Sequence, residues 1–373
     1  MGLQDLSAQT LAQPPLRQCY AGTVREDGLG SVESQTSTNR RGHGADERRS
    51  TLVSVLVPVR DGEAYLDEAL RSLAGQTHED LEVVVVDDGS RDASADVARD
   101  WASRDTRFRV VQQQPLGFVA ASRRACAEAR GSYLAAMGAD DVARPHRLEA
   151  QLTALREEGL DACGGGVEYF PDATDGLRRY ERWLNSLTTV EAAARDLFVE
   201  CPIGHPTLFA RADAVSYRPV DWPEDYDLVL RLWAAGGRFR NVDDVVLDWR
   251  DHPARLARTD ERYSLTAFAR CKVHYLREHV LRGRPTVVWG SGPVGKLHAR
   301  VLLDAGVEVT AFVDVDERKI GKRIYGIPVV AHDDGPRDGF VLGAVAGEVA
   351  RARLRELARE HGRREGDDFV VVA

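Results

Sequence analysis

Residues 51–90 read TLVSVLVPVRDGEAYLDEALRSLAGQTHEDLEVVVVDDGS, and the order of patterns within them decides the fold. Thr51 to Val59 is a nearly continuous apolar run rich in β-branched residues, the composition of a strand buried on both faces. The period then changes. Tyr65, Leu66, Ala69, Leu70 and Leu73 recur at helical spacing and share one face. LEVVVVDDGS, from Leu81, returns to a buried strand. Strand, helix and strand, with both strands apolar throughout, predict a parallel α/β sheet.

The alternation continues outward. A helix is expected from Ser94 to Ala102, a strand at FRVVQQ (108–113), a helix at GFVAASRRACAEARG (117–131) and a strand at SYLAAMGADD (132–141). Sheets of this kind bind ligands at the carboxyl ends of their strands. Three charged clusters fall on that edge: Arg60-Asp61, Asp87-Asp88 and Asp140-Asp141. Adjacent carboxylates repel, so a chain places them where water or a cation offsets the repulsion. A solvated turn would satisfy one such pair. Clusters ending three strands of one sheet point instead to a site.

Beyond Gln151 the pattern loosens. GHPTLFARADAV (204–215) suggests a strand and a short helix, and WPEDYDLVLRLWAAGG (222–237) an amphipathic helix whose acidic start suits the positive helix end. A short strand is expected at Val245 to Leu247 and a helix from Arg262 to Leu281. A second α/β unit begins at Thr286. There Gly290, Gly292 and Gly295 form Gly-x-Gly-x-x-Gly between a strand and a helix, with Asp314 nineteen residues further on. Four segments are therefore expected: a disordered tail over 1–50, an α/β domain over 51–260, a helical linker over 261–283 and a small Rossmann-like domain over 284–373.

The 373 residues carry a net charge of −9. That disfavours sequence-blind binding to nucleic acid or anionic membrane, which needs surplus Lys and Arg. Five scattered cysteines without a Cys-x-x-Cys pair suggest reduced thiols in a cytoplasmic protein. No apolar run approaches the roughly 18 residues that cross a bilayer.

Four stretches resemble the family 2 glycosyltransferases of the GT-A fold: VSVLVPVRDGEAYLDEALRSLAGQT (53–77), LEVVVVDDGSRD (81–92), GSYLAAMGADDVARPHRLEAQ (131–151) and WPEDYDLVLRLWAAGG. The resemblance implies an inverting, metal-dependent transfer of a hexose from a UDP-sugar to an acceptor hydroxyl. It assigns Pro58, Val59, Arg60, Asp61, Glu63, Asp87, Asp88 and Asp140 to the donor nucleotide, with Asp88 on the uracil edge. Mn²⁺ or Mg²⁺ would sit chiefly on Asp141, with Asp140 and His252 beside it. Asp225 would be the base, and Glu224 and His205 would shape the acceptor pocket. Complementing the helix dipole is the plainer alternative for Asp225 and Glu224, a surface or hydrogen-bonded loop role for His252, and simple packing for His205. Arg60, Asp61 and Gly138 depart from the family pattern, which more often has an aromatic residue, Asn and a further acid.

RYERWLNSLT (179–188), VVWGSGPVGKLHARVL (287–302) and VTAFVDVDERKIGKRIYGIPVV (309–330) extend the likeness to the β-1,3-N-acetylglucosaminyltransferase-like group, which includes queuosine-tRNA galactosyltransferase. This implies tRNA as an acceptor, with a cell-surface or lipid-linked glycan as the alternative. For tRNA the basic surfaces would be Arg178 to Trp183 and the stretch from Arg351 to Arg364, the latter interleaved with glutamates as a solvated helix face would be. Two readings from other classes are an NAD-dependent oxidoreductase built on the C-terminal unit and a binding module without activity. NAD is not expected, because about 90 residues supply only half of a dinucleotide fold. Docking of acceptor or a second copy suits that unit better.

Overall fold

The computed structural model describes residues 51–373. Strands β1 (Val53–Val59), β2 (Leu81–Asp87), β3 (Phe108–Gln112) and β4 (Tyr133–Ala136) form the predicted core. β1 is parallel to β2 on one side and to β4 on the other, and β2 is parallel to β3. Every residue of β2 is buried, as its unbroken apolar run requires. The crossover helices are Glu63–Ala74, Ser94–Arg104 and Phe118–Glu128. Leu66, Ala69, Leu70 and Leu73 are all buried on the first.

Four more strands widen this sheet: β5 (Val142–Ala143), β6 (Ala162–Phe170), β7 (Phe209–Arg211) and β8 (Phe239–Arg250). The order is β3-β2-β1-β4-β7-β6-β8-β5, with β7 antiparallel to β4 and β6, and β5 antiparallel to β8. The strand expected at Val245 to Leu247 is the middle of β8, which is 12 residues long and pairs with β6 along its length. β6 itself was not legible, because ACGGGVEYF carries three glycines where strand propensity is poor. The fold explains them. A Cβ on Gly164 would lie 2.2 Å from Asn241 Oδ1, and one on Gly165 would lie 2.4 Å from Val246 Cγ2.

A second sheet contains β9 (Thr286–Trp289), β10 (Val309–Val313), β11 (Arg323–Ile324), β12 (Ile327–Val330), β13 (Phe340–Gly343) and β14 (Phe369–Val371). Its order is β11-β12-β10-β9-β13-β14, parallel except at β11/β12. Helix Leu265–Tyr275 and the wide turn Leu276–Leu281 occupy the segment read as a linker, and Ala269, Cys271, Val273, Leu276 and Leu281 are buried there. One apolar cluster joins Val84 and Tyr226 of the first part to Val288 and Phe312 of the second. The boundary between 51–260 and 284–373 thus separates two sheets that share a core. The expected disordered tail and Cys19 lie outside the described residues. The other four cysteines are free thiols, and among the described residues no helix is long and apolar enough to cross a membrane.

Candidate active site

The loop after β1 is stitched to the loop after β2. Asp61 adopts a left-handed backbone, φ 52°, which Asp tolerates better than most residues. Its N–H donates to Ser90 Oγ at 3.0 Å, and its Oδ1 accepts from Arg91 N at 2.7 Å. Glu63 and Asp92 exchange similar bonds: Glu63 N donates to Asp92 Oδ2, and Ala93 N donates to Glu63 Oε2. Ser90, Asp92 and Ser94 were not singled out from sequence, although DGSRD contains the Asp-Ser turn chemistry that favours such bonds.

Asp88 is engaged on both oxygens. Oδ1 accepts from Gln113 Nε2 at 2.7 Å and Leu116 N at 2.8 Å, while Oδ2 accepts from Gly117 N at 2.8 Å. In this structure the carboxylate assigned to the uracil edge holds the loop that delivers Phe118 to the cavity wall. Asp87 accepts from Ser90 N at 3.2 Å. Pro58, Val59, Arg60, Asp61, Glu63, Asp87 and Asp88 do not line that cavity.

Asp140 and Asp141 lie at the turn after β4. A Cβ on Gly138 would fall 2.3 Å from Asp141 Oδ2 and 2.8 Å from Asp140 Oδ1, so both carboxylates fold back over a position only glycine leaves open. The missing leading acid of the motif is therefore space for the other two. Asp141 is 2% exposed. Burial, with the charge of Asp140 second, pushes its carboxyl up to about 8. Arg250 N donates to Asp141 Oδ1 at 2.9 Å, and Arg250 Nε to the Asp140 carbonyl at 2.7 Å. The Arg250 guanidinium lies over the rings of Tyr65 and Phe170. His252 Nε2 meets Asp140 Oδ2 at 2.8 Å, so of the residues assigned to a metal His252 sits against Asp140.

Arg147 opens the helix Arg147–Glu158, where a charged residue would ordinarily face solvent, yet it is fully buried. Its Nη2 donates to the Ala136 carbonyl at 2.6 Å and its Nε to Gln151 Oε1 at 3.1 Å. Burial pulls its guanidinium down to about 10, and the charge of Asp141 opposes that shift. Gln151, one turn on and otherwise flanked by leucines, was the available signal for a polar core.

Three acids open the helix Glu224–Ala234, and the structure separates them. Asp227 is buried, with Arg218, Arg231, Trp222 and Tyr275 all donating to it. Glu224 accepts from Tyr263 OH at 2.6 Å and Arg262 Nη1 at 2.8 Å, which places it behind the cavity as a support for Tyr263 rather than in an acceptor pocket. Asp225 alone of the three lines the cavity. Burial first and the Glu224 charge second push its carboxyl up to about 7.

The cavity has a volume of about 390 Å³ and brings together Asp140, Asp141, Asp225 and His205, with Tyr169 and Trp249 on its apolar side. Those two rings stack at 5.1 Å. His205 Nε2 meets Tyr217 OH at 2.8 Å, and burial pulls the imidazole down to about 4, so it stays neutral.

In the second sheet, Gly290 has φ 105° and Gly295 packs so closely that a Cβ would lie 1.8 Å from Gly290 O. Asp314 is occupied internally. Its Oδ2 accepts from Ser291 N, Ser291 Oγ and Lys319 Nζ, and its Oδ1 from Asp316 N. These bonds hold its carboxyl well below the usual range, with burial opposing them. Asp314 thus closes the turn beside the glycines.

The fold and this cavity define an α/β protein of the GT-A type, with a large mixed sheet and an acid-lined site at its carboxyl edge. Residues 54–216 match the family model of glycosyl transferase family 2. Over these residues the chain is similar to the family 2 glycosyltransferases. An uncharacterized glycosyltransferase of Haemophilus influenzae is 27% identical over 213 residues, 54% of this chain and 66% of that one. The uncharacterized glycosyltransferase EpsJ of Bacillus subtilis is 27% identical over 218 residues, 55% of this chain and 62% of that one. The chain thus spans less than two thirds of the length of these curated relatives. Among solved structures, S. aureus TarS 1–349 in complex with UDP-GlcNAc superposes with a TM-score of 0.48 at 16% identity, covering 67% of this chain and 71% of that one.

Proposed function

We propose that the protein transfers a hexose from a UDP-sugar to an acceptor hydroxyl with inversion at the anomeric carbon. The observation that carries this reading is one cavity walled by Asp140 and Asp141 on one part and Asp225 on another. In the reaction the acceptor oxygen bonds to the anomeric carbon as the bond to the diphosphate breaks, and the acceptor proton passes to Asp225. A carboxyl poised near neutrality by burial suits that task.

The donor set also fits a hard cation. Two carboxylates converge over Gly138, and the more buried is held protonated near neutral pH only while no cation compensates it. Asp141 and Asp140 would hold Mn²⁺ or Mg²⁺, with His252 orienting Asp140. The cation, when bound, offsets the charge that develops on the leaving diphosphate. The acceptor is proposed no more finely than a hydroxyl. Of the stretches read as tRNA surface, Arg178 pairs with Glu181, Arg353 with Glu356, and Arg355 with Asp196 and Glu365.

A thermal-shift comparison of UDP, GDP, TDP and NAD with Mn²⁺ or chelator tests the donor. UDP should raise the melting temperature in Mn²⁺ and lose that effect on chelation. Stabilisation by NAD alone would place the cofactor in the second sheet and refute the assignment.

A further inference from the structure

A second cleft, of about 510 Å³, lies where the two sheets meet. It is within the size range of small-molecule sites. Two stretches that charge patterning singled out, and that the proposed reaction does not use, converge on it. Arg179 and Arg182 come from the helix Asp175–Asn185, and Arg351 from the helix Glu348–Glu360. Buried Lys272 completes the basic lining, while Glu200 and Glu348 are the acids there.

His298 supplies the more specific observation. It lines the cleft and is 4% exposed. Its Nδ1 lies 3.0 Å from the Val294 carbonyl, which can only accept, so Nδ1 carries the proton. Nε2 is then a bare acceptor, and it has no partner. Burial pulls the imidazole down to about 4, so the ring stays neutral. A buried acceptor left unpaired costs stability unless something donates to it.

The cation side is also unpartnered. Arg351 Nε is buried without a hydrogen bond. Among the described residues, the side chains of Arg179, Arg182 and Arg351 make no hydrogen bond or ion pair. Lys272, by contrast, donates to the carbonyls of Val199 and Val372. Two helix starts reach the same cleft, at Pro293-Val294 and at Gly347-Glu348, and neither has a side-chain cap. Helix starts present free N–H groups and partial positive charge, which favour anions.

We propose that this cleft is a second ligand site that takes a phosphorylated sugar or polyol, its phosphate on Arg351, Arg179, Arg182 and the helix starts, and one hydroxyl donating to His298 Nε2. Both halves of the ligand are needed. Inorganic phosphate keeps a P–OH at neutral pH but lacks the sugar hydroxyls that extend beyond the phosphate group toward the histidine, and an uncharged sugar leaves the arginines unpaired. The cleft shares Tyr180, Glu200 and Phe268 with the acid-lined cavity, so the two sites lie on either side of one wall. The proposal does not depend on what reaction occurs at Asp225.

Calorimetric titration of the full chain with glucose 1-phosphate, inorganic phosphate and glucose tests it. Glucose 1-phosphate should bind about tenfold more tightly than inorganic phosphate, and glucose should give no saturable heat up to about 10 mM. Arg351→Met should weaken the sugar phosphate by about tenfold or more. His298→Phe should erase its advantage over inorganic phosphate while leaving phosphate binding in place. Asp141→Asn should leave sugar-phosphate binding in this cleft unchanged. If Arg351→Met fails to fold, Arg182→Gln at the exposed rim replaces it, with the same direction expected. Absence of saturable sugar-phosphate binding overturns the proposal. So does binding that survives the arginine substitution, or binding abolished by Asp141→Asn, which would place the ligand in the other cavity.

Discussion

Asp225 differs from its neighbours Glu224 and Asp227 by what surrounds it, since all three are acids within one helical turn. Glu224 and Asp227 are tied to arginine and tyrosine. Asp225 faces the cavity and accepts from the neighbouring backbone, Tyr226 N, at 2.7 Å. If it is the base, Asp225→Asn should reduce transfer by about 100-fold or more in a radiochemical or coupled assay. Wild-type rate should rise with pH through about 7, as the carboxylate ionises. Stability runs the other way. A carboxyl raised from 3.8 to about 7 in the folded chain contributes stability that is present below its unfolded pKa and lost as pH rises through about 7. The Asn variant never ionises, so it should melt several degrees above wild type near pH ~8 and at about the same temperature below pH ~4. Equal melting at both pH values would show that Asp225 is not held protonated by burial.

At the scale of elements, the strand–helix–strand units were legible because their patterns are local. A buried parallel strand is apolar along its whole length, and its crossover helix shows one apolar stripe, whatever else the chain does. The glycine turn after β9 was legible for the same reason. Its physical role is close packing: Gly295 Cα faces Gly290 O at a distance that admits no Cβ. Gly295→Ala should therefore destabilise the protein by roughly 2–4 kcal/mol in urea unfolding. The loss should exceed that of Gly292→Ala, where an added Cβ meets nothing within 4 Å. A reversed order would mean that the middle glycine carries the constraint. β6 and most of β8 were not legible, since their glycines and acids match a loop until the partner strand is placed beside them.

For the molecule as a whole, the two sheets are stabilised jointly. Helix Leu265–Tyr275 buries residues toward both, and Lys272 reaches from it to carbonyls at Val199 and Val372. Val199 also packs in the cluster of Val287, Val313 and Val371. Removing residues 284–373 would expose that apolar surface and leave Lys272 short of an acceptor. The shortened chain should aggregate or bind a hydrophobic dye, as judged by size-exclusion chromatography and dye fluorescence. A monodisperse product with an unchanged melting temperature would show that the first sheet folds independently.

The sequence by itself determined the α/β class, the crossover order of the first strands, the second α/β unit and the carboxyl-edge location of Asp140 and Asp141. Each is written in local periodicity or in the rule that such sheets bind ligands at one edge. Only the tertiary structure decided which acids share a cavity. It set Asp225 there, turned Asp88 onto the 113–117 loop and Asp314 onto Ser291, and buried Arg147 beneath the acids. The reason is physical: a carboxylate looks the same in sequence whether it faces solvent, a backbone N–H or another acid. Its role follows from its burial and its partners, and those are supplied by residues tens to hundreds of positions away.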